Sequence, residues 1–294
     1  MRKRQIGCAR AERASLPTGG VLADRRIVCY QPVMLDAAAK DHWTRNGWVW
    51  LRGFLGEAET RDLLRWTDEI AAWPEVPGKW MRYYEKRAGS PAGKMLARVE
   101  NFVPFHAALA AFLGGARITA LLAECAGEPV LLFKDKINFK LPGGAGFAPH
   151  QDAPAYVDFG VEHQLTLMVP VDPFTHDNGC LEMALAACAR VFLPQNPDGT
   201  LRPEAMASLQ VQPVLAEPGD VIVFDAWVPH WSGPNRSTSA RRSYYVTFNP
   251  ASAGDQRAAY YARKRECFPP EYERKPGVDY AALGRQFNLG NPFD

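Results

Sequence analysis

At 294 residues the chain can build one large domain with a sizeable core, and its 34 Lys+Arg against 32 Asp+Glu leave a net charge of only +2. That balance points to neither a nucleic-acid nor a membrane-surface partner, and no apolar run approaches the roughly 18–20 residues a membrane-crossing helix needs. Six scattered cysteines (Cys8, Cys29, Cys125, Cys180, Cys188, Cys267) without a CxxC pair read as free thiols in a reducing cytoplasm.

Residues 1–35 are rich in Arg but lack an apolar face, and are expected to form a flexible leader to a single domain over 36–294. Asp36 is placed to cap a helix that stops at Gly47, and 48–54 reads as a short strand. A second helix over 57–72 carries Leu63, Leu64, Trp66, Ile70 and Ala71, and Pro74 ends it. The polar, aromatic, glycine-containing stretch 79–95 predicts a loop or lid. Residues 97–102 form a short polar element, and 106–125 an Ala/Leu-rich helix that Gly114-Gly115 interrupts.

After Gly127 the period changes. In 129–141, Phe133, Ile137 and Phe139 alternate with Lys134, Lys136, Asn138 and Lys140, the pattern of a strand with one wet face. Strands follow at 164–172, 209–214, 219–227 and 242–250, separated by the turn signals DNG, NPDG, EPGD and SGPN. Helices first and many short strands after them predict a mainly β fold, a barrel or sandwich with flanking helices. No strand–GxGxxG–helix unit is present, which disfavours a nucleotide fold.

The chemistry centres on His150-Gln151-Asp152. On extended backbone an imidazole and a carboxylate two residues apart point the same way and can hold neighbouring positions on one metal ion. His230, at the end of the apolar strand before it, is the third candidate, with Asp220 and Asp225 poorer ones. Two His and one carboxylate make the facial triad of non-haem Fe(II) oxygenases, which leaves positions open. Eleven residues past His230, Arg241 opens the last strand. Burying it costs several kcal/mol unless a fixed anion meets it, and its planar fork matches a carboxylate. The bland alternative pairs Arg241 with a local acid and leaves Arg242 as its outward neighbour.

Two sets of residues are candidates for the substrate. Tyr156, Trp80, Tyr83, Tyr84 and Trp231 could build a cation–π wall for an ammonium group. Lys134, Lys136 and Arg98 could meet a carboxylate or phosphonate. Core and lid packing for the aromatics, and a solvated face for the lysines, are the alternatives. His176 in THDNG reads as a turn residue, and Asn178-Gly179 as a turn needing positive φ.

The His-Gln-Asp triplet, a distal His, Ser two residues beyond it and Arg eleven beyond it together resemble the phytanoyl-CoA dioxygenase family of Fe(II)/2-oxoglutarate oxygenases. The likeness covers about residues 45–250. Within that family INFK (137–140), the Phe three before the first ligand and the Ser-Arg spacing are similar to ectoine hydroxylases, and the stretch also looks like aminophosphonate hydroxylases. The resemblance implies a double-stranded β-helix (jelly-roll) core, Fe(II) on His150, Asp152 and His230, and 2-oxoglutarate on Asn138, Phe147, Ser232 and Arg241. It also sets Tyr156 against a cationic substrate. With O2, such an enzyme hydroxylates an aliphatic C–H of a small polar or zwitterionic metabolite, as a monomer or homodimer. A carboxylate at 152 leaves no halide position, which disfavours the related halogenation. Another metal-dependent enzyme of the same barrel, or a catalytically silent binding protein, are the alternatives.

Overall fold

The computed structural model describes residues 35–86, 93–160 and 163–290. All but the last residue of the expected leader lies outside these; Leu35 itself is buried and donates its N–H to Glu124 (2.9 Å), so the packed chain begins before residue 36.

In chain order the elements are α1 (Ala37–Asn46), β1 (Trp48–Leu51), α2 (Glu57–Ala72), β2 (Met81–Lys86), β3 (Lys94–Glu100), α3 (Ala107–Leu113) and α4 (Ala116–Ala126). Then come β4 (Val130–Lys140), β5 (Phe147–His150), β6 (Leu165–Pro170), β7 (Leu181–Ala184), α5 (Pro203–Ala207) and β8 (Val211–Val214). The chain closes with β9 (Val221–Asp225), β10 (His230–Ser232), β11 (Arg241–Pro250), α6 (Arg257–Cys267) and α7 (Tyr280–Leu283).

Local signals set several boundaries. Asp36 accepts the Ala39 N–H (2.8 Å), and Gly47 ends α1 with φ 73°. Glu59 reaches back to the Gly56 N–H (2.9 Å) at the start of α2. As expected, the glycine pair 114–115 splits the helix that follows.

The strands form two antiparallel sheets, seven-stranded β1-β9-β6-β11-β4-β3-β2 and four-stranded β5-β10-β7-β8. Alternation sorts the large sheet's side chains. Leu165, Leu167, Val169, Val221, Val223 and Val246 pack outward against Leu63, Trp66 and Ile70 of α2 and Leu121 and Leu122 of α4. Met168, Ile222, Phe224 and Tyr245 point inward onto Leu181, Met183 and Val214 of the small sheet. Burying an average one of these aliphatic side chains is worth roughly 1.5–3 kcal/mol. At the other end of the interior, Tyr260 of α6 with Phe268 and Phe287 meets Phe133 and Tyr156. This is the jelly-roll with flanking helices.

Two expectations fail. Residues 81–86 are not a lid but strand β2, paired with β3 (Met81↔Glu100). Their arginine is polar yet satisfied, because Arg82 donates to the Ile70 and Ala71 carbonyls at the end of α2 and to Tyr84. The glycine-bearing half of that stretch, 87–92, lies outside the described residues. The supposed wet face of β4 is also inside: Lys134, Asn138 and Lys140 are buried, and Lys136 lines a cavity. Both faces of β4 are covered, one by helices and one by the barrel interior.

Candidate metal centre and its cavity

β5 and β10 run antiparallel with His230 directly opposite His150, and the imidazole centroids lie 4.4 Å apart. Asp152 joins them for a different reason from the one expected. The strand stops at His150, and Asp152 has turned to φ −77°, ψ −27° at the start of a short 3-10 turn. Its carboxylate still comes back beside His150, with Oδ1 3.7 Å from Nε2. One ligand atom from each of His150, Asp152 and His230 lies within 4.8 Å of the others, and all three residues are buried.

Both imidazoles are oriented by backbone. Nδ1 of His150 faces the Ala148 carbonyl (2.7 Å) and Nδ1 of His230 the Val228 carbonyl (3.0 Å). A carbonyl can only accept, so each Nδ1 carries the proton and each Nε2 lone pair is left for a metal. Burial, then His230, pushes His150 down to about 3, and burial likewise lowers His230. Burial works against the Asp152 carboxylate, but Lys136, His230, Lys134 and His150 together hold it ionised. Two neutral imidazoles and one carboxylate on one side of a dry site are the donor set that Fe(II) takes.

Next to this set lies Arg241, 1% exposed. Its Nε has no hydrogen-bond partner, its Nη2 is 3.5 Å from the Tyr245 hydroxyl, and its guanidinium lies 3.9 Å from the Phe174 ring centroid. Among the described residues no acid pairs with it. Arg242 takes the acids instead, holding Asp172 (2.8 Å) and Asp68 (2.6 Å) on the helix side. A buried guanidinium without a carboxylate, with the Ser243 hydroxyl also unpartnered, fits an incoming anion such as the distal carboxylate of 2-oxoglutarate.

The other expected co-substrate residues surround it. Ser243, beside Arg241 on β11, pairs with Asn138, and Arg241 with Lys140. Asn138 Oδ1 accepts from Arg98 Nε (3.2 Å). Ser232 accepts from Lys140 Nζ (2.7 Å), which leaves its own O–H to donate. Phe147 lies beneath the Lys140 ammonium, 5.6 Å from its ring centroid. Lys140 escaped the sequence reading because it was counted on a wet face; burial and Arg241 push it down to about 6. It also donates to the carbonyls of Gly233 (2.6 Å) and Gly179 (3.2 Å). Gly179 has φ 70°, as the turn required, and any Cβ there would strike the Gly233 carbonyl at 2.1 Å. His176 of the same turn is exposed and stands outside the metal set.

On the far side of the triad is a small cavity of about 20 Å³, bounded by Arg98, Lys134, Lys136, Phe147, His150 and Asp152 and closed by Tyr260, Gln286, Phe287 and Leu289. Lys134 Nζ donates to the Tyr156 hydroxyl (2.5 Å) and lies 4.7 Å from that ring's centroid. The aromatic face expected to meet a substrate cation thus carries the chain's own ammonium. Lys136 has no hydrogen-bond partner among the described residues and sits 5.1 Å from the Tyr245 ring centroid. Burial, then Lys134 and Arg98, pushes it well below its ordinary value.

The other candidates for a cation–π wall do not converge here. Tyr84 faces the helices, accepting from Arg82 Nε (2.9 Å). Trp231 points to the opposite face of β10 from His230 and Ser232, and Trp80 packs on Trp73 (4.4 Å). Tyr83 is buried, stacked on Phe268 (5.3 Å) and bonded to its carbonyl. The sequence reading also missed the cavity's cover. Gly290 accepts the Ala148 N–H (2.9 Å), and a Cβ on it would approach His150 Nδ1 to 2.7 Å. No motif marks that segment.

Comparison with known proteins agrees with this geometry. The model of the phytanoyl-CoA dioxygenase (PhyH) family matches residues 43–243. A 2-aminoethylphosphonate dioxygenase from the uncultured bacterium HF130_AEPn_1 is 46% identical over 254 residues, 86% of this chain and 97% of that protein. A methylphosphonate hydroxylase from Gimesia maris is 40% identical over 228 residues, 78% of this chain and 86% of that one. Among solved structures, EctD from S. alaskensis with 2-oxoglutarate and 5-hydroxyectoine shares the fold at TM-score 0.61 and 18% identity, over 74% of this chain and 77% of that one. The chain therefore belongs to the phytanoyl-CoA dioxygenase family and is an Fe(II)- and 2-oxoglutarate-dependent dioxygenase that hydroxylates an aliphatic C–H of a small polar metabolite.

Proposed function

We propose that the metabolite is a small phosphonate of the 2-aminoethylphosphonate type. The observation that carries this reading is the convergence of Arg98, Lys134 and Lys136 on a cavity beside the triad. The acids near them are Asp152, assigned to the metal, and Glu100, which already holds Lys264 and Arg98. Three cations around a small dry cavity suit a compact dianion with several acceptor oxygens better than a single carboxylate. The names of the two relatives support the same class.

In this reading His150, Asp152 and His230 hold Fe(II) through two Nε2 atoms and one carboxylate oxygen. Arg241, Ser232, Asn138 and Phe147 hold 2-oxoglutarate. The bound metal and co-substrate supply O2 activation, so that one C–H becomes C–OH while 2-oxoglutarate becomes succinate and CO2. The chain's own work is positional. Arg98, Lys134 and Lys136 fix the phosphonate so that its neighbouring carbon faces the triad, and the aromatic shell of Tyr156, Tyr260 and Phe287 excludes water. A monomer or homodimer working in the cytoplasm is consistent with the free thiols Cys125, Cys180, Cys188 and Cys267.

One observation favours an alkylphosphonate without an amine: Asp152 is the single acid among the described cavity-lining residues, so an ammonium finds no spare carboxylate there. A succinate-release screen with 2-aminoethylphosphonate, methylphosphonate and carboxylate zwitterions tests both readings. Coupled succinate from either phosphonate supports the class, and its ratio between the two decides the amine. Turnover of carboxylates alone would reject it.

A further inference from the structure

We propose that Lys264 of α6 is a positioning residue that sets the charge of the anion subsite, and thereby selects a doubly over a singly charged tetrahedral head group. This rests on the phosphonate reading and goes beyond it by naming what tells a phosphonate from its sulfonate isostere.

Glu100 is fully buried on the inner face of β3, two residues from Arg98. A carboxylate so close to Arg98 would claim the guanidinium and cancel its charge towards a ligand. The structure divides Glu100 between two cations. Lys264, 1% exposed, places Nζ 2.6 and 2.7 Å from both Glu100 oxygens, whereas Arg98 Nη1 is 3.3 Å from one of them. Lys264 therefore holds the stronger claim on Glu100. Arg98 turns its Nε to Asn138 and lines the cavity beside Lys134 and Lys136.

The surroundings of Lys264 give its ammonium no acid but Glu100 among the described residues. Its ammonium is ringed by Tyr83 (5.5 Å), Tyr260 (5.9 Å) and Phe287 (5.9 Å), with no access to solvent. Burying a lysine there is costly unless its counter-ion matters. At this corner of the cavity Arg98 and Lys264 stand together against Glu100, two cations to one anion. Removing Lys264 leaves Glu100 to Arg98 alone, so the subsite loses one positive charge, which weakens a dianion more than a monoanion. Lys264 acts through Glu100 and touches no reacting atom. It also lies past the residues that the family model spans, on a helix that closes this end of the barrel.

The test is calorimetry of the Fe(II)- and 2-oxoglutarate-loaded enzyme without O2, at neutral pH, with 2-aminoethylphosphonate and its isostere 2-aminoethylsulfonate. The wild type should prefer the phosphonate. Lys264→Met should cut that preference about tenfold or more, and Lys264→Arg should keep it. The double variant Glu100→Gln/Lys264→Met removes one charge of each sign and should restore the preference, which a merely structural role of Lys264 would not allow. A preference unchanged in Lys264→Met, or lost equally in the double variant, overturns the inference while leaving the phosphonate reading standing. A wild type that does not prefer the phosphonate overturns both.

Discussion

The two ends of the barrel interior handle charge in opposite ways. At the proposed co-substrate end the buried guanidinium of Arg241 has no acidic partner among the described residues, and its Nε is orphaned. At the substrate end several cations crowd together, and the fold supplies an internal counter-ion, Glu100, with its own keeper, Lys264. Arg241, with Lys140 beside it, is stable once one fixed dicarboxylate arrives, and in the proposed reaction that ligand is common to every turnover. A crowd of cations must survive without its ligand, so the fold dilutes the repulsion with a carboxylate and then regulates how much it dilutes. The first end is built for affinity, the second for discrimination.

The metal centre between the two ends gives the largest expected effect. His150→Ala or Asp152→Ala should abolish the visible absorption of the anaerobic Fe(II)/2-oxoglutarate complex and lower turnover by roughly a thousandfold or more. Persistence of that absorption would remove these residues from the metal site.

At the substrate end, acid unfolding reports on the internal counter-ion. Burial works against ionised Glu100, yet Lys264, Arg98 and Lys134 hold it down to about 2 from an ordinary 4.5. A folded-state value below the unfolded one means the contribution is complete above about pH 4.5 and is lost as pH falls towards 2, on the order of 3 kcal/mol. Denaturant titrations across that range should show a steeper loss for the wild type than for Glu100→Gln. Equal slopes would mean that Glu100 is not held as its geometry indicates.

At the co-substrate end, Arg241→Met should raise the KM for 2-oxoglutarate by about a hundredfold, the cost of breaking one buried charge pair. Iron affinity should change little. Arg242→Ala, one residue away but paired with Asp172 and Asp68, should leave that KM alone and cost about 1 kcal/mol of stability or less. A loss of iron and co-substrate together in Arg241→Met would make Arg241 structural. Smallest is Lys136→Met, expected to raise the phosphonate KM about tenfold while the 2-oxoglutarate KM stays put. A change in both would place Lys136 at the wrong end.

This contrast also explains how much could be read from sequence. The metal and co-substrate end is written in short spacings because strand pairing fixes its geometry. His230 falls opposite His150, Ser232 follows on the same strand, and Arg241 opens the next one. A mainly β barrel or sandwich with flanking helices is legible from the run of short strands, and the jelly-roll follows from the family resemblance. Alternation along β4 says that its two faces differ but not which one is wet, so a solvated face stays open for Lys134 and Lys136 beside their substrate role, and Lys140 goes unnoticed, although all three line the interior. Residues 79–95 read as a loop or lid because the stretch is polar, aromatic and glycine-containing, and the carbonyls at the end of α2 explain how a strand over 81–86 accommodates Arg82. Lys264, Gln286 and Gly290 reach the site by tertiary packing of the C-terminal helices. No spacing rule reaches them.

The central claim is that this cationic cavity presents a phosphonate to the iron centre. Phosphorus NMR of a turnover mixture, run beside a succinate assay, tests it most directly. The account predicts that a small phosphonate is converted to its hydroxylated form in step with succinate, and that Lys136→Met slows both together. Succinate formed with an aminocarboxylate as the consumed substrate, and no phosphonate signal shifted, would contradict it.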